Sequence, residues 1–323
     1  MPTLNSAVFI REAINSIASQ TYENYEVLIV DSGSTDETLK ICREFGDKFQ
    51  VLQLLGSRQG RARNHGIAKA KASHVLFLDS DDKFASNQVL EMCKNTIREY
   101  SAEIYNFGVK FLRSGKVVKC IENKSNFRVD GSSELTKLAL SGRFIHTIPW
   151  NKVYNRDFLE KNSISFPPLE EQEDMLFVLK LASTAKTMMF LSEVIVHADV
   201  RAESLSRALK EKNVTCCIEV FQTFKEWMSK KGFPDVKESD FNFYKLRTTA
   251  YLLLRLIYRV KSNAEFQVFF DKLTGELSDV RVSSFPFRMF LSPKFWFCIL
   301  LAKFKIVGGF LRWFRPIFNP NFY

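Results

Sequence analysis

Apolar positions in the N-terminal third of the chain follow two periods in turn. Ile10, Ala13, Ile14 and Ile17 recur at helical spacing. Val27-Leu28-Ile29-Val30 is a short uninterrupted apolar run, which reads as a buried strand. Ser34 and Glu37 have the Ser-x-x-Glu spacing of a capping box and predict a helix through Leu39, Cys42 and Phe45. Val51 to Leu55 reads as a strand, Gly60 to Ala70 as a helix, and His74 to Leu78 as a further strand. Strands separated by helices imply an α/β fold with a parallel, doubly wound sheet. Farther on the pattern is mixed. Tyr105 to Arg207 contains a hairpin signal at Ser114-Gly115, then helical and loop segments, and Ala208 to Lys272 reads as helices.

The strand His74-Val75-Leu76-Phe77-Leu78 runs directly into Asp79-Ser80-Asp81-Asp82. Open α/β sheets bind ligands beyond the carboxyl ends of their strands, which is where these acids fall. Clustered carboxylates repel one another unless a cation lies between them, and all-oxygen ligation suits a hard ion, Mg²⁺ or Mn²⁺. Such an ion commonly bridges the phosphates of a nucleotide, so this segment points to a metal-dependent enzyme acting on a nucleotide diphosphate. The plainer alternative is a solvated acidic turn that caps the next helix.

Several further segments stand in a particular order: Pro2-Thr3-Leu4-Asn5, Gln20-Thr21-Tyr22, Val30-Asp31-Ser32-Gly33-Ser34-Thr35-Asp36, Ala62-Arg63-Asn64-His65-Gly66 and Leu78-Asp79-Ser80-Asp81-Asp82. They are followed by Trp150-Asn151-Lys152-Val153-Tyr154, Glu173-Asp174-Met175-Leu176-Phe177 and Arg201-Ala202-Glu203-Ser204-Leu205-Ser206. In order and spacing this set resembles family 2 glycosyltransferases, inverting enzymes of the GT-A fold. The resemblance runs from about residue 2 to residue 207 and is strongest to bacterial enzymes of capsule, exopolysaccharide or O-unit assembly.

What the resemblance implies can be set beside what each residue suggests alone. Asp31 would accept a hydrogen bond from a uracil N–H, a role a carboxylate suits; it can also brace the turn through Ser34. The family usually has a second acid where Ser32 stands. Arg63 would lie along the nucleotide, its permanent charge forking onto phosphate or base oxygens, while Arg58 and Arg61 read as a solvated basic face. Asp79 would contact the ribose and Asp81 coordinate the metal on the diphosphate, with Asp82 sharing the metal or holding the loop. Asp174 would be the general base that takes a proton from the acceptor hydroxyl, with Glu173 as the next candidate. An acid at a helix start is also favoured by the helix dipole alone. Trp150 reads equally as a sugar-stacking ring or as core. Arg201 would touch the diphosphate, although Ala198 and Asp199 depart from the usual neighbours.

The family opens with an apolar strand ahead of the Pro-x-x-Asn element, and here only Met1 precedes Pro2. That strand is central in a GT-A sheet, and each ladder group it leaves unpaired and buried would cost about 1–3 kcal/mol. An upstream start that supplies the strand is therefore expected.

Length and charge add two points. A chain of 323 residues accommodates one large α/β core with an appendage. The expected parts are a GT-A domain over 1–207 (a nucleotide-sugar half, 1–104, and an acceptor half, 105–207), a helical extension over 208–280 and a tail over 281–323. Six scattered or adjacent cysteines suggest no disulfide framework and a reducing, cytoplasmic setting. The net charge of +10 is concentrated in the tail, which has seven Lys or Arg, no Asp or Glu, ten Phe and two Trp. It lacks the roughly 18 uncharged apolar residues of a spanning helix. Its basic residues and its aromatic residues fall largely on opposite sides of a helix, as in one lying on an anionic membrane surface; packing on the catalytic core is the alternative. No nucleic-acid-binding motif accompanies it. The sequence thus predicts a membrane-peripheral hexosyltransferase on the cytoplasmic face. It would use a nucleotide-sugar donor, probably UDP-linked, and pass the sugar to a lipid-linked saccharide acceptor. The reading from a different class is a non-catalytic GT-A-like subunit that supports a partner transferase.

Overall fold

The computed structural model describes residues 1–200, 211–232, 236–259 and 263–277. These residues cluster into two compact units. The first carries ten strands and the helices between them, and the second is built from three helices.

The first unit begins with β1 (Pro2–Thr3), α1 (Ile10–Ala18), β2 (Val27–Asp31), α2 (Thr38–Arg43), β3 (Phe49–Gln53), α3 (Gln59–Lys69) and β4 (His74–Leu76). α1 forms where the helical period lies, and Ile10, Ala13, Ile14 and Ile17 are its buried face. α2 starts later than the capping-box spacing predicts. The Ser34 hydroxyl donates to the Asp31 carboxylate, so it does not cap the helix; Asp36 accepts from the Thr38 N–H at 3.1 Å in its place. β1, β2 and β3 form a parallel three-stranded sheet in the order β1-β2-β3.

The chain continues through β5 (Asp82–Phe84), α4 (Val89–Glu99), β6 (Ile104–Arg113), β7 (Lys116–Ile121), β8 (Phe127–Asp130), α5 (Ser132–Ser141), β9 (Lys152–Asn155), α6 (Arg156–Lys161), α7 (Glu173–Thr184) and β10 (Thr187–Asp199). Together with β4 the strands make a seven-stranded sheet in the order β4-β9-β6-β10-β5, with β7 beside β6 and β8 beside β10. In it only β6 and β10 pair in parallel; the other pairs are antiparallel. The parallel winding expected from alternating helices and strands therefore holds in the N-terminal sheet, and the later strands return by reversals. One is the β6–β7 hairpin, where Ser114 and Gly115 have φ of 49° and 76°, the left-handed pair of a type I′ turn. β7 is the outer strand of that hairpin, with Val117 and Val118 exposed between Lys116 and Lys119.

β4 stops at Leu76, but the apolar run continues into the core through Phe77 and Leu78. Phe77 lies 5.4 Å from the rings of both Tyr154 and Phe166, and Phe166 stacks on Phe177 at 3.9 Å. This cluster joins β4, β9 and α7 beneath the acidic segment. In the second unit α8 (Glu211–Lys231), α9 (Glu238–Arg259) and α10 (Asn263–Gly275) bury an aromatic core of their own, with Phe221 and Tyr244 edge to face at 5.8 Å. No helix among the described residues is long and apolar enough to cross a membrane. The tail over 281–323 lies outside the described residues.

Removing a fully buried ring from the first cluster leaves a cavity that the surrounding rings fill only in part. Phe177→Ala should destabilise the first unit by about 3–5 kcal/mol, read as a lower midpoint in chemical denaturation. A change below about 1 kcal/mol would show that the cluster carries little of the fold.

Candidate active site

The acidic segment leaves the core as a tight loop. The Asp82 N–H donates to the Asp79 carbonyl at 3.1 Å, and Asp82 opens β5 with its side chain buried. Asp79, Asp81 and Asp82 each offer a carboxylate oxygen within 4.8 Å of the others. The hydroxyls of Ser80 and Ser6 meet at 2.8 Å and tie this loop to the end of β1. β10 runs antiparallel beside β5 with Ala198 opposite Asp82, so Asp199 emerges next to the same acids. Asp199, Asp81, Asp82 and Glu12 line one cavity of about 280 Å³. Sequence reading marked Asp199 only as a departure from pattern; its position follows from strand register, which a single sequence does not display.

Behind Asp79 lies the most heavily charged part of the interior. Arg63 faces inward from α3, and its side chain is 0% exposed. One terminal nitrogen donates to Asp79 at 2.8 Å, and the other reaches Asp174 at 2.7 Å and Glu173 at 3.4 Å. The guanidinium also lies 5.2 Å from the centre of the Phe166 ring. Burial disfavours its charge, but the surrounding carboxylates of Asp174, Asp79 and Glu173 outweigh that and raise its pKa. The sequence reading set Arg63 along the nucleotide; the structure seats it wholly inside, as a strut between acids. α3 can approach α7 this closely because residue 60 is glycine: a Cβ there would stand 2.9 Å from the Glu173 side chain and 3.0 Å from that of Phe166.

Glu173 and Asp174 occupy the first turn of α7, which follows Gln172 in a left-handed conformation with φ of 65°. Three carboxylates around one guanidinium leave a surplus of negative charge, and little water is present to solvate it. Burial, the largest influence, pushes the Asp174 pKa up to about 8; Arg63 pulls it down, and Glu173 and Asp79 add to the rise. Glu173 is raised in the same direction, again chiefly by burial. The Asp174 side chain is 30% exposed, so it is the member of the cluster most open to solvent.

A second polar knot holds the turn before β9. The Lys152 ammonium is buried and donates to the carbonyls of His146 and Ile148 and to the Asn151 side chain at 3.0, 2.7 and 2.7 Å. Asn151 in turn donates to the Phe107 carbonyl at 2.7 Å, and the Tyr154 hydroxyl to the Pro149 carbonyl at 2.7 Å. Burial lowers the Lys152 pKa to about 7, with Asp174 pulling it back up. Sequence reading passed over Lys152; the available signal was an Asn-Lys pair set between Trp150 and an apolar strand. Trp150 is 7% exposed and meets Phe111 edge-on at 6.2 Å, which places it in the core.

Asp31 ends β2 with its side chain buried and accepts from the N–H groups of Gly33 and Ser34, each at 3.0 Å, and from the Ser34 hydroxyl. Asn5 closes the same turn. It donates its N–H to the Ser34 hydroxyl at 2.9 Å, and its side-chain oxygen accepts from the Thr35 N–H at 2.9 Å. Arg58 pairs with Glu170 at 2.8 Å on the surface. Arg201 lies outside the described residues. The first unit therefore brings Asp79, Asp81, Asp174 and Arg63 into one neighbourhood and puts Asp31 at the end of the adjoining parallel sheet.

Comparison with known proteins fits this geometry. The sequence profile of Glycosyl transferase family 2 matches residues 1–162. The putative glycosyltransferase EpsH of Bacillus subtilis is 25% identical over 225 residues, covering 68% of this chain and 65% of EpsH. The poly(ribitol-phosphate) beta-N-acetylglucosaminyltransferase TarS of Staphylococcus aureus is 30% identical over 200 residues, covering 60% of this chain and 33% of TarS. The chain thus spans between a third and two thirds of the length of these two relatives. The crystal structure of S. aureus TarS 1–349 with UDP-GlcNAc matches with a TM-score of 0.56 at 23% identity, over 93% of this chain and 79% of that one. The mannosyltransferase PcManGT from Pyrobaculum calidifontis, in complex with GDP-Man and Mn²⁺, matches with a TM-score of 0.54 at 15% identity, over 97% and 85%. At these identities the structural likeness establishes the fold, which is GT-A. With the profile covering half of its length, the chain belongs to glycosyl transferase family 2.

Proposed function

We propose that the protein transfers a sugar from a nucleotide sugar, a UDP-sugar by preference, to a hydroxyl of a lipid-linked glycan in cell-surface polysaccharide assembly, with inversion at the anomeric carbon. The observation that carries this reading is the Arg63 guanidinium, which holds Asp174 on one side and Asp79 of the acidic loop on the other. A base for the acceptor and a platform for the donor diphosphate are thereby separated by the width of one planar group. That TarS was solved with UDP-GlcNAc supports the choice of donor class.

Asp174 accepts the proton of the acceptor hydroxyl as that oxygen bonds to the anomeric carbon. The bond from that carbon to the diphosphate oxygen breaks, and its electron pair leaves with the nucleoside diphosphate. One displacement inverts the centre, so an α-linked donor yields a β-glycoside. Asp31 accepts from the nucleobase, Asp79 meets the ribose, and Arg201 approaches the diphosphate. Asp81, with Asp82 beside it, would hold Mg²⁺ or Mn²⁺; the clustered, all-oxygen donor set fits a hard divalent ion. When bound, such an ion supplies charge neutralisation for the departing diphosphate. Arg63 fixes the orientation of Asp174 and does not touch substrate. The basic aromatic segment after residue 280 lays the protein on an anionic membrane, where a lipid-linked acceptor is found.

Three measurements test this. With a UDP-sugar panel and Mn²⁺, Asp174→Asn should lose about 10²–10⁴-fold in transfer while UDP affinity stays within a few-fold; unaltered transfer would remove Asp174 from the mechanism. Because the base works deprotonated and its pKa is pushed up to about 8, activity should be lost as pH falls through that region. An acid limb near the ordinary carboxylate range would contradict this assignment. In calorimetry, Mn²⁺ should tighten UDP binding to the unaltered protein and not to Asp81→Ala; equal enhancement in both would clear Asp81 of metal binding. Truncation after Ser284 should abolish sedimentation with phosphatidylglycerol vesicles, and undiminished binding would place the membrane contact elsewhere.

A further inference from the structure

β2 and β4 belong to different sheets, and a channel of about 490 Å³ runs between them. That is about three times the size of the ~150 Å³ cavity that an engineered apolar core keeps dry. One wall is α3, through Ala62, Gly66 and Ile67; the opposite wall is α4, through Leu90, Cys93 and Ile97. The two remaining sides are strand edges. Ladder parity sets which backbone groups face inward. Val27 and Asp31 bond toward the β3 side, through the Val27 N–H to Lys48 and the Asp31 carbonyl from Leu54, so Leu28 and Val30 present theirs to the channel. Along β4, Ser73 accepts from the Arg156 N–H and Val75 lies opposite Tyr154, so the groups of His74 and Leu76 point away from β9 and into the channel. A space one strand wide, apolar above and below and lined by backbone donors and acceptors at both sides, is the shape of a β-strand.

β1 already enters this space. The Met1 amine donates to the Leu28 carbonyl at 2.8 Å, and the Met1 carbonyl accepts from the Val30 N–H at 2.8 Å, as a ladder residue would. We propose that the channel between β2 and β4 receives an apolar extended segment that continues β1 through the Met1 nitrogen, runs parallel to β2 and joins the two sheets into one. Stepping back from the Pro2–Val30 register places preceding residues opposite Leu28, Val27, Glu26 and Tyr25, which calls for about four or five residues at ~3.3 Å each. The occupant is chain continuous with β1 because the amine stands in line with the ladder and would obstruct any separate strand. Burial pushes that amine down to about pH 5, with Asp79 raising and Arg63 lowering it further. A peptide N–H there makes the same bond with no charge to bury.

The test adds five residues ahead of Met1 in three forms: alternating Ile and Val, Gly-Ser of equal length, and the Ile/Val segment with Pro at alternate positions. Pro keeps the bulk and removes ladder donors. The Ile/Val form should melt at least ~5 °C higher than the other two, and the Leu28 and Leu76 amides should exchange hydrogen at least ~10-fold more slowly. Equal melting of the three forms overturns the inference, and so does equal gain from the Ile/Val and Pro forms, which would indicate hydrophobic filling without pairing. A dimer in place of a stabilised monomer would assign the slot to a second copy and overturn continuity with β1. These readouts need no sugar transfer, so failure of the proposed activity and failure of this inference are separable.

Discussion

One buried cation organises the first unit. The Arg63 side chain has no contact with solvent, so its charge persists only because Asp79, Asp174 and Glu173 surround it. Removing one member of such a set leaves an uncompensated charge in a poorly solvated interior, which is far more costly than losing a surface ion pair. The arrangement also couples distant parts of the chain. Arg63 comes from α3, Asp79 follows β4, and Glu173 and Asp174 open α7, so correct electrostatics require all three elements to be in place together. The Phe77, Phe166 and Phe177 rings pack around this group and exclude water from it, which strengthens every charge interaction inside.

The same surplus of negative charge that burial makes unfavourable is what gives Asp174 the character of a base. An exposed carboxylate is a weak proton acceptor near neutral pH, whereas one raised by burial and by neighbouring acids binds a proton much more readily. Neighbouring structure then keeps the group in position: the left-handed Gln172 begins the α7 turn, and Gly60 lets α3 approach it. On the other side of the acidic loop, the Ser6–Ser80 contact ties its conformation to the turn that Asp31 and Asn5 hold. The parts assigned to base recognition, to diphosphate and to acceptor are thus connected through short polar contacts.

Much of the first unit was legible from periodicity. α1, β2 and α3 lie where apolar spacing put them, because each buries one face against the N-terminal sheet. The acidic loop was legible for a similar reason: an apolar run that ends in acids marks a strand end. Three features were not. The capping-box spacing at Ser34 and Glu37 misplaced the start of α2, since a competing acceptor, Asp31, holds the Ser34 hydroxyl. The role of Arg63 depends on partners 110 and 111 positions away, which local pattern does not reveal. Antiparallel pairing of β4 with β9, and the placement of Asp199 beside Asp82, follow from long-range register.

The outer strand of the β6–β7 hairpin bears on how the molecules behave in a crowded solution. Val117 and Val118 lie open on a sheet margin, an arrangement that invites strands of neighbouring copies to add on. The flanking Lys116 and Lys119 bring like charges together whenever two such margins meet, so edge-to-edge growth is opposed by repulsion from the outset. Salt that screens those lysines weakens this protection, and colloidal stability should therefore decline with ionic strength before the fold itself is affected.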